Sequence, residues 1–171
     1  MIKIRKAQDN DAKAIIQIGR ISFTYAFGHL FNRDILGRYL DATYSFKKIH
    51  SSLSKPSNVY FVGEIDDVIV GFLKLKRNCP HHLIQDSYQW QVQKIYVFPD
   101  CASKGVGSEL MKTGERTIAV DMPGIAWLMV YGKNKGAISF YQRFGYIFIG
   151  KDYHDFEHIR VGFNVMKKRI Q

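Results

Sequence analysis

Residues 94–111, KIYVFPDCASKGVGSELM, are the part of the sequence that decides the fold. An apolar strand runs through Pro99 into a glycine-containing loop, and the loop leads straight into a helix. Glycines let the backbone turn so that successive N–H groups point at one place, and the start of the helix adds free N–H groups and a partial positive charge. The segment therefore predicts an anion-binding loop of a shape that suits a pyrophosphate. The loop residues are Lys104, Gly105, Val106, Gly107 and Ser108.

Two nucleotide-binding loops of similar shape do not match this segment. A Walker loop needs GxxxxGK[ST], which the sequence lacks, and the dinucleotide fingerprint GxGxxG needs a glycine where Leu110 stands. A plain tight turn with a packed helix start stays open as an alternative, because a GxG pair alone is not specific.

A second informative segment, NKGAISFYQRFGY at 134–146, follows an apolar strand predicted over 125–131. Its apolar residues recur with the period of a helix, which predicts a core-facing stripe. The stripe consists of Ala137, Phe140, Tyr141 and Phe144. Asn134 stands just before this helix, where its amide can cap the first turn or bond an extended ligand at the strand end. Gly145 is typical of the residue that follows a helix end.

Composition limits the classes of protein to consider. The chain has 171 residues, 46% hydrophobic and 23% charged, with 25 Lys and Arg against 15 Asp and Glu and a net charge of +10. These values are typical of a single domain, residues 1–171, that carries its own core. The longest apolar run has seven residues, whereas a bilayer span needs about 20. The N-terminus alternates charge with single apolar residues, so neither a membrane span nor a secretory leader is expected.

The positive charge has three interpretations: nucleic acid, anionic lipid, or a small polyanion such as a phosphorylated cofactor. Basic residues are scattered, and the densest run is Lys167, Lys168 and Arg169, so a nucleic-acid partner is not favoured. Cys79 and Cys101 lack CxxC or histidine spacing, which favours free thiols in a cytoplasmic protein over a disulfide or zinc framework.

The order of predicted elements is α/β, with helices packed on a mixed sheet. A strand from Ile2 precedes a helix whose start is capped within Asp9–Asp11. Further helices are predicted at 33–42, 45–53, 108–120 and 137–144. Further strands are predicted at 59–65, 68–77, 88–97, 125–131, 147–149 and 161–166, with a hairpin turn at 66–67 and an extended loop at 78–87.

Together, the two segments resemble the GNAT N-acetyltransferase family, whose pattern is V-x-P-x-x-[RQ]-x-x-G-x-G before a helix and then N-x-x-A-x-x-x-Y-x-x-x-G-[FY]. The matching residues are Val97, Pro99, Gly105, Gly107, Asn134, Ala137, Tyr141, Gly145 and Tyr146. The order of elements along all 171 residues is also similar to that fold. Residues of the N-terminal half resemble the bacterial spermine/spermidine-type branch: Phe23, Phe27, Asn32, Tyr39, Leu40 and Phe46.

The resemblance implies a mixed central sheet with a splayed strand pair, helices on both faces, and acetyl-CoA as cosubstrate. It also implies that the backbone of Ile95 and Val97 pairs with the pantetheine arm, much as a sheet accepts an added peptide. By the same resemblance, loop 104–108 holds the pyrophosphate and Asn134 meets the pantetheine. Tyr141 would face the thioester sulfur as general acid, since a phenol with a pKa of about 10 is protonated at neutral pH.

The sequence departs from the family pattern in two places. Ala102 stands where Arg or Gln is usual, which weakens the expected grip on the phosphates. Gln91 and Gln93 stand on the strand where related proteins often place a glutamate, and an amide cannot accept the proton of the attacking amine. Alternative bases are His81, His82, Asp86 and His29.

Three functions of different classes remain: an acetyltransferase for the amine of a small, polyamine-like molecule or a peptide, an acyl-CoA-binding protein without turnover, and a nucleic-acid-associated regulator. Tyr141 and Asn134 favour the first, whereas Ala102, Gln91 and Gln93 favour the second. Only net charge supports the third. A homodimer is also compatible with the sequence.

Within residues 152–158, DYHDFEH, four side chains of metal-ligand type lie in five successive positions: His154, Asp155, Glu157 and His158. Because the segment lies between two predicted strands, these side chains need not share a face. A solvated hairpin without a metal is therefore expected. In the resembling family this hairpin often borders the acceptor pocket.

Overall fold

A computed structural model describes the whole chain, Met1 to Gln171. Its α-helices are α1 (Ala12–Phe27), α2 (Arg33–Thr43), α3 (Phe46–Leu53), α4 (Val106–Asp121) and α5 (Lys135–Arg143). Its strands are β1 (Ile2–Lys6), β2 (Asn58–Ile65), β3 (Val68–Lys76), β4 (Gln89–Val97), β5 (Gly124–Tyr131), β6 (Ile147–Phe156) and β7 (Ile159–Ile170). The fold is α/β, as predicted. None of the helices combines the length and the apolar character that a bilayer crossing requires.

The seven strands follow the order β1-β2-β3-β4-β5-β7-β6 in one mixed sheet. β1 is antiparallel to β2, and β7 is antiparallel to both β5 and β6. The parallel pairing of β4 with β5 covers only Gln89–Gln91 with Ile125–Trp127. Since β4 goes on to Val97, its last residues lie outside this pairing, and the splayed strand pair stays a prediction.

The chain divides into two compact units. Unit 1 comprises Met1–Leu75 and Lys94–Gly114, and unit 2 comprises Lys76–Gln93 and Glu115–Gln171. Strand β4 and helix α4 each contribute residues to both units. The prediction of a single domain over residues 1–171 stays a prediction.

In unit 1, helices lie on both faces of the strands, as predicted. Phe72 packs against the Tyr60 ring, and the Tyr60 hydroxyl hydrogen-bonds with Ser52 of α3 at 2.8 Å. The preceding residue, Gly71, points the other way: a Cβ there would lie 3.3 Å from Val106 of α4. Because successive strand residues face opposite sides of a sheet, α3 and α4 lie on opposite faces of β3.

In unit 2, the core lies against β5 and β7. Ile84, Ile125, Trp127 and Val165 form a buried apolar cluster. The Trp127 indole donates a hydrogen bond to the Cys79 carbonyl at 2.7 Å, which holds the β3–β4 connection against β5. Both cysteines of the chain are free thiols.

Local chemistry explains where several elements begin and end. Asn32 and Ser45 cap α2 and α3, and each side chain accepts a hydrogen bond from a backbone N–H of the first turn. The β2–β3 hairpin turns at Asp66 and Asp67, with φ of 49° and 65°, the conformation that suits a two-residue hairpin loop. Gly145, with φ of 86°, follows α5 as predicted.

The strands near the C-terminus are longer than predicted. The predicted strands at 147–149 and 161–166 are parts of β6 and β7, which pair as far as Phe156 and Ile159 with one register shift between Phe148 and Gly150. Most of the predicted hairpin at 152–158 is therefore strand. Because β6 is the edge strand of the sheet, polar side chains there remain solvated, and the apolar alternation that reveals inner strands is missing.

Candidate active site

The loop predicted to bind an anion lies between β4 and α4 in unit 1. Ser103 and Gly105 have φ of 68° and 93°, and they turn the chain sharply before α4 begins at Val106. The helix therefore starts two residues earlier than predicted, so Gly107 and Ser108 belong to its first turn. The N–H groups of a first turn have no acceptor within the helix. The structure thus brings the predicted loop residues to the start of a 16-residue helix, where anions bind readily.

Two glycines of the sheet let α4 approach closely and so fix the loop. A Cβ on Gly63 would lie 2.6 Å from Val106 and 3.5 Å from Leu110, and one on Gly71 would lie 3.3 Å from Val106, beyond the nearer Tyr96 carbonyl of β4 at 2.9 Å. Val106 and Leu110 are almost completely buried at this contact. Leu110 is therefore a packing residue, which explains why the third glycine of the dinucleotide fingerprint is missing.

The loop itself is open and carries positive charge. Ala102, Lys104 and Gly105 are exposed. The acidic side chain that follows in the helix, Glu109, forms an ion pair with Lys112 at 2.8 Å. An anion at the loop thus meets Lys104 and the helix N-terminus rather than an unpaired carboxylate.

The last residues of β4 are held from two sides within unit 1. The Ser22 hydroxyl of α1 donates to the Val97 carbonyl at 3.3 Å, and the Phe98 N–H donates to the Val70 carbonyl at 2.8 Å. A carbonyl oxygen has two lone pairs, so the Val97 carbonyl keeps one for a ligand N–H. Ile95 and Val97, both predicted cofactor contacts, lie on this segment and are partly exposed.

In unit 2, Asn134 caps helix α5. Its Oδ1 accepts a hydrogen bond from the Ala137 N–H at 3.1 Å. The structure thus shows the capping role, one of the two roles open from the sequence. The side-chain amide still has two N–H donors, and the cap uses neither of them.

Tyr141 lies on α5 with its ring against aromatic neighbours. The ring centre is 5.4 Å from that of Phe140 and 6.2 Å from that of Tyr146. The side chain is half-buried, and this burial raises the pKa of the hydroxyl above the ordinary value of a phenol. Tyr141 therefore packs as the helical stripe predicted and stays protonated at neutral pH.

Sequence reasoning missed a buried polar group in unit 2. Tyr146 is 2% exposed, and its hydroxyl and Glu115 Oε1 are buried without hydrogen-bond partners. Burial and the Glu115 carboxylate raise the pKa of Tyr146. Glu115 Oε2 pairs with Lys168 at 2.7 Å. Tyr146 was recognised only as a motif residue, and the partners on α4 and β7 leave no local signal in the sequence.

His81, a candidate base, is already engaged through both ring nitrogens. Nδ1 accepts the Leu83 N–H at 3.2 Å, and Nε2 contacts Asp152 Oδ2 at 3.0 Å. Since Nδ1 is an acceptor, the neutral ring carries its proton on Nε2 and donates it to Asp152. His82 stacks on His81, and these two histidines with Asp152 lie close enough to suggest a metal site. The three residues offer one ligand atom each, all within 4.8 Å of one another, and a metal there would displace the Nε2 proton and its contact with Asp152.

The remaining candidate bases are exposed, paired or unable to take a proton. Asp86 forms an ion pair with Arg169, and His29 is exposed. The Gln91 side-chain carbonyl accepts a long hydrogen bond from the Cys79 thiol at 3.5 Å. Gln93 Oε1 is buried without a hydrogen-bond partner. None of these side chains is therefore identified by the structure as a catalytic base.

Lys94 of β4 is a further side chain that sequence reasoning missed. Its Nζ donates to the Tyr44 hydroxyl at 3.1 Å and lies 4.4 Å from the centre of the Tyr44 ring. Burial, and then the like charge of Lys48, lower the pKa of Lys94 to about 8. The only sign of this site in the sequence is that a lysine interrupts the apolar run that precedes Pro99.

The sequence is similar to one family model and to individual acetyltransferases. The sequence model of the acetyltransferase (GNAT) family matches residues 18–146. The chain is 22% identical over 159 residues to a spermidine N(1)-acetyltransferase of Thermoplasma acidophilum, covering 91% of this chain and 94% of that protein. It is 23% identical over 140 residues to an uncharacterized N-acetyltransferase from the pepI 3′ region of Lactobacillus delbrueckii subsp. lactis, covering 82% and 81%.

Solved structures agree on the fold. The PaiA N-acetyltransferase of Thermoplasma acidophilum, solved in complex with coenzyme A, superposes with a TM-score of 0.79 at 19% identity and covers 99% of both chains. A probable acetyltransferase of Staphylococcus epidermidis gives a TM-score of 0.78 at 15% identity over 100% of both chains. Because the family match spans well over half of the sequence, the chain belongs to the GNAT acetyltransferase family, which uses acetyl-CoA as cosubstrate.

Proposed function

We propose that this protein transfers the acetyl group of acetyl-CoA to a primary amine of a small, polyamine-like molecule or of a peptide. The observation that carries the proposal is the loop 104–108 at the start of α4, which follows directly on the partly exposed end of β4. Free N–H groups at a helix start suit a pyrophosphate, and a strand end with free lone pairs suits an amide-containing arm. The coenzyme A complex of the Thermoplasma neighbour supports the same cosubstrate.

In this proposal each predicted contact has one task. The backbone of the 104–108 loop and the Lys104 ammonium hold the pyrophosphate. Backbone groups of Ile95 and Val97 pair with the pantetheine arm, and the Asn134 amide donates to it through the N–H groups that its cap leaves free.

The reaction is direct attack. The neutral amine adds to the thioester carbonyl, forming the C–N bond, and a backbone N–H of β4 stabilises the oxygen on which charge develops. The C–S bond then breaks, and the Tyr141 hydroxyl gives its proton to the departing thiolate. Burial keeps the pKa of Tyr141 high, so the group is protonated at the start of each cycle. With glutamines at 91 and 93, the amine arrives already neutral. Its nitrogen becomes positively charged on attack and releases one proton to water, and the Tyr141 phenolate takes one proton back from water.

A second candidate function is acyl-CoA binding without turnover. It is favoured by the engaged ring nitrogens of His81 and by the amides at Gln91 and Gln93, since none of these takes the proton of the amine. Ala102 removes a side chain that the family usually places on the phosphates.

One experiment separates the two functions. Thiol release from acetyl-CoA is measured against polyamines, amino acids and peptide N-termini, and coenzyme A binding is measured in parallel by calorimetry. We expect micromolar binding together with amine-dependent thiol release. Binding without release for any amine would assign the protein to the second function, and absence of binding would contradict both.

A further inference from the structure

A lysine without an acidic partner lies on β4 in unit 1. Lys94 Nζ has one hydrogen bond, to the Tyr44 hydroxyl at 3.1 Å. No carboxylate lies within ion-pair distance of it. An ammonium group has three N–H donors, so two of them remain for a ligand.

The surroundings of Lys94 offer no internal negative charge. Tyr44 is 1% exposed, and burial together with Tyr96 raises its pKa, so the phenol is neutral. The charged group that acts on Lys94 from α3 is Lys48, which has the same sign. The buried or paired carboxylates of this unit are committed elsewhere: Asp11 and Glu64 to Arg5, Asp41 to Arg20, and Glu109 to Lys112.

Such an arrangement is costly for the folded protein. A partly buried charge loses hydration, which a counter-charge, hydrogen bonds or an aromatic face can offset. Lys94 has one hydrogen bond and the Tyr44 ring face, but no counter-charge. A methionine has a similar length and fills the same space without that cost. The ammonium is therefore better explained by a ligand that it binds than by packing.

The position of Lys94 points to the acceptor amine as that ligand. Lys94 directly precedes Ile95, where the proposed function places the pantetheine arm. The phosphates of the cofactor belong to the loop 104–108, which begins beyond the end of β4. Val97 lies three positions after Lys94 on the strand, a span of about 10 Å. An anion at Lys94 is thus a group other than the pyrophosphate.

The helices of unit 1 also carry a net positive charge, which favours an anionic ligand. Residues 12–53, which contain α1, α2 and α3, carry six Lys and Arg side chains against two Asp. One of the two, Asp41, is paired with Arg20 at 3.0 Å. This excess of positive charge repels an approaching polycation and attracts an anion.

We infer that the acceptor carries an anionic group, a carboxylate or a phosphate, in addition to its amine, and that Lys94 binds this group. The inference rests on the proposed function and narrows its substrate class, because it ranks polyamines below amines that bear an acid. Lys94 is then a specificity-determining residue of the acceptor site.

The test uses amines that share a six-carbon chain and differ only at the far end. The far end is a carboxylate in 6-aminohexanoate, a phosphate in 6-aminohexyl phosphate, a methyl in hexylamine and an ammonium in 1,6-diaminohexane. At pH 7 we expect kcat/KM to be at least about tenfold higher for one of the acids than for the diamine, which corresponds to about 1.4 kcal/mol. Comparison of the two acids identifies which anion is preferred.

Lys94→Met removes the charge and keeps the length of the side chain. We expect the preference for the acid over the diamine to fall to within about twofold, chiefly through KM. Lys47→Met is the matched control, because Lys47 is an exposed lysine of α3. The Lys47→Met protein should prefer the acid over the diamine as strongly as the unsubstituted protein does. Coenzyme A affinity, measured by calorimetry, should stay unchanged in both variants. A Lys94→Met protein that keeps the preference would overturn the inference.

Two further readouts separate this inference from the proposed function. Binding of the four amines to the protein–coenzyme A complex is measured by calorimetry without turnover, so an inactive protein still reports acid preference. Equal or tighter binding of the diamine, or no binding of either acid, overturns the inference even when acetyl transfer is observed. The preference should also decline as pH rises through about 8, where Lys94 loses its charge, and Lys94→Met should lack this decline.

Discussion

Helices α4 and α5 both follow a strand of the sheet, yet their first turns are satisfied differently. α5 starts behind Asn134, whose side chain accepts the Ala137 N–H at 3.1 Å. α4 starts behind Gly105, which has no side chain and therefore cannot cap. The comparison shows that a side-chain cap closes one helix start for stability, whereas a glycine leaves the other open for a ligand.

The largest expected effect comes from filling the open helix start. Gly107→Val places a branched side chain where the proposed pyrophosphate lies, and we expect acetyl-CoA affinity to fall by at least about 10³-fold, or about 4 kcal/mol. Gly37→Val is the control, since a Cβ on this α2 glycine meets nothing within 4 Å. Calorimetry of the two folded variants checks the result. Unchanged affinity in Gly107→Val would place the cofactor elsewhere.

The next effect concerns chemistry rather than binding. Tyr141→Phe keeps the ring and its contacts with Phe140 and Tyr146 but removes the proposed acid. We expect the single-turnover rate of acetyl transfer to fall by about 10² to 10⁴. Acetyl-CoA affinity and thermal stability should change little, because the proposed hydrogen bond to sulfur forms mainly in the transition state. Undiminished single-turnover transfer would leave Tyr141 as a packing residue.

A smaller effect is expected from the side-chain charge at the loop. Lys104→Met should weaken acetyl-CoA binding by roughly three- to fivefold at low salt, and less as salt rises, because an exposed ion pair is screened. Lys112→Met removes a lysine of the same helix region that is paired with Glu109, and it should change affinity by less than about twofold. Titrations at two salt concentrations make the comparison. An equal loss in both variants would attribute the effect to net charge alone.

An effect of similar size separates the two roles of Asn134. Asn134→Asp keeps an oxygen to accept the Ala137 N–H, so the cap and the stability persist, but it removes the free amide donors. Coenzyme A affinity should fall by about three- to tenfold, the value of one hydrogen bond. Asn134→Ala should in addition lose about 1 kcal/mol of unfolding free energy, measured by urea denaturation. Full affinity in Asn134→Asp would restrict this residue to capping.

Local chemistry made much of the fold predictable from the sequence. Gly145 and the Asp66–Asp67 turn have positive φ. Glycine and aspartate are among the few residue types that tolerate this conformation, so both turns can be predicted from residue type. The strand, loop and helix around Pro99 follow from periodicity and glycine spacing, and only the helix start was misplaced, by two residues. These features depend on neighbours in sequence, which a single chain displays directly.

The features that sequence reasoning missed depend on distant partners. His81 meets Asp152 across 71 positions of the sequence, and Lys94 meets Tyr44 across 50. The long β6–β7 ladder was missed because an edge strand keeps polar residues on its solvated side. In each case the residue type alone allows many partners, and only the tertiary fold selects one.

The two sheet glycines under α4 also set a rule for how this sequence can diverge. A Cβ on Gly63 would lie 2.6 Å from the Val106 side chain and has no room unless Val106 gives way, whereas one on Gly71 would first meet the Tyr96 carbonyl at 2.9 Å. A relative with alanine at position 63 must therefore carry a smaller residue at position 106, or shift the helix and with it the loop. We expect positions 63 and 106 to vary together among homologues, although they lie 43 positions apart in the sequence. Natural selection can then conserve the combined volume of these side chains while the individual residues change.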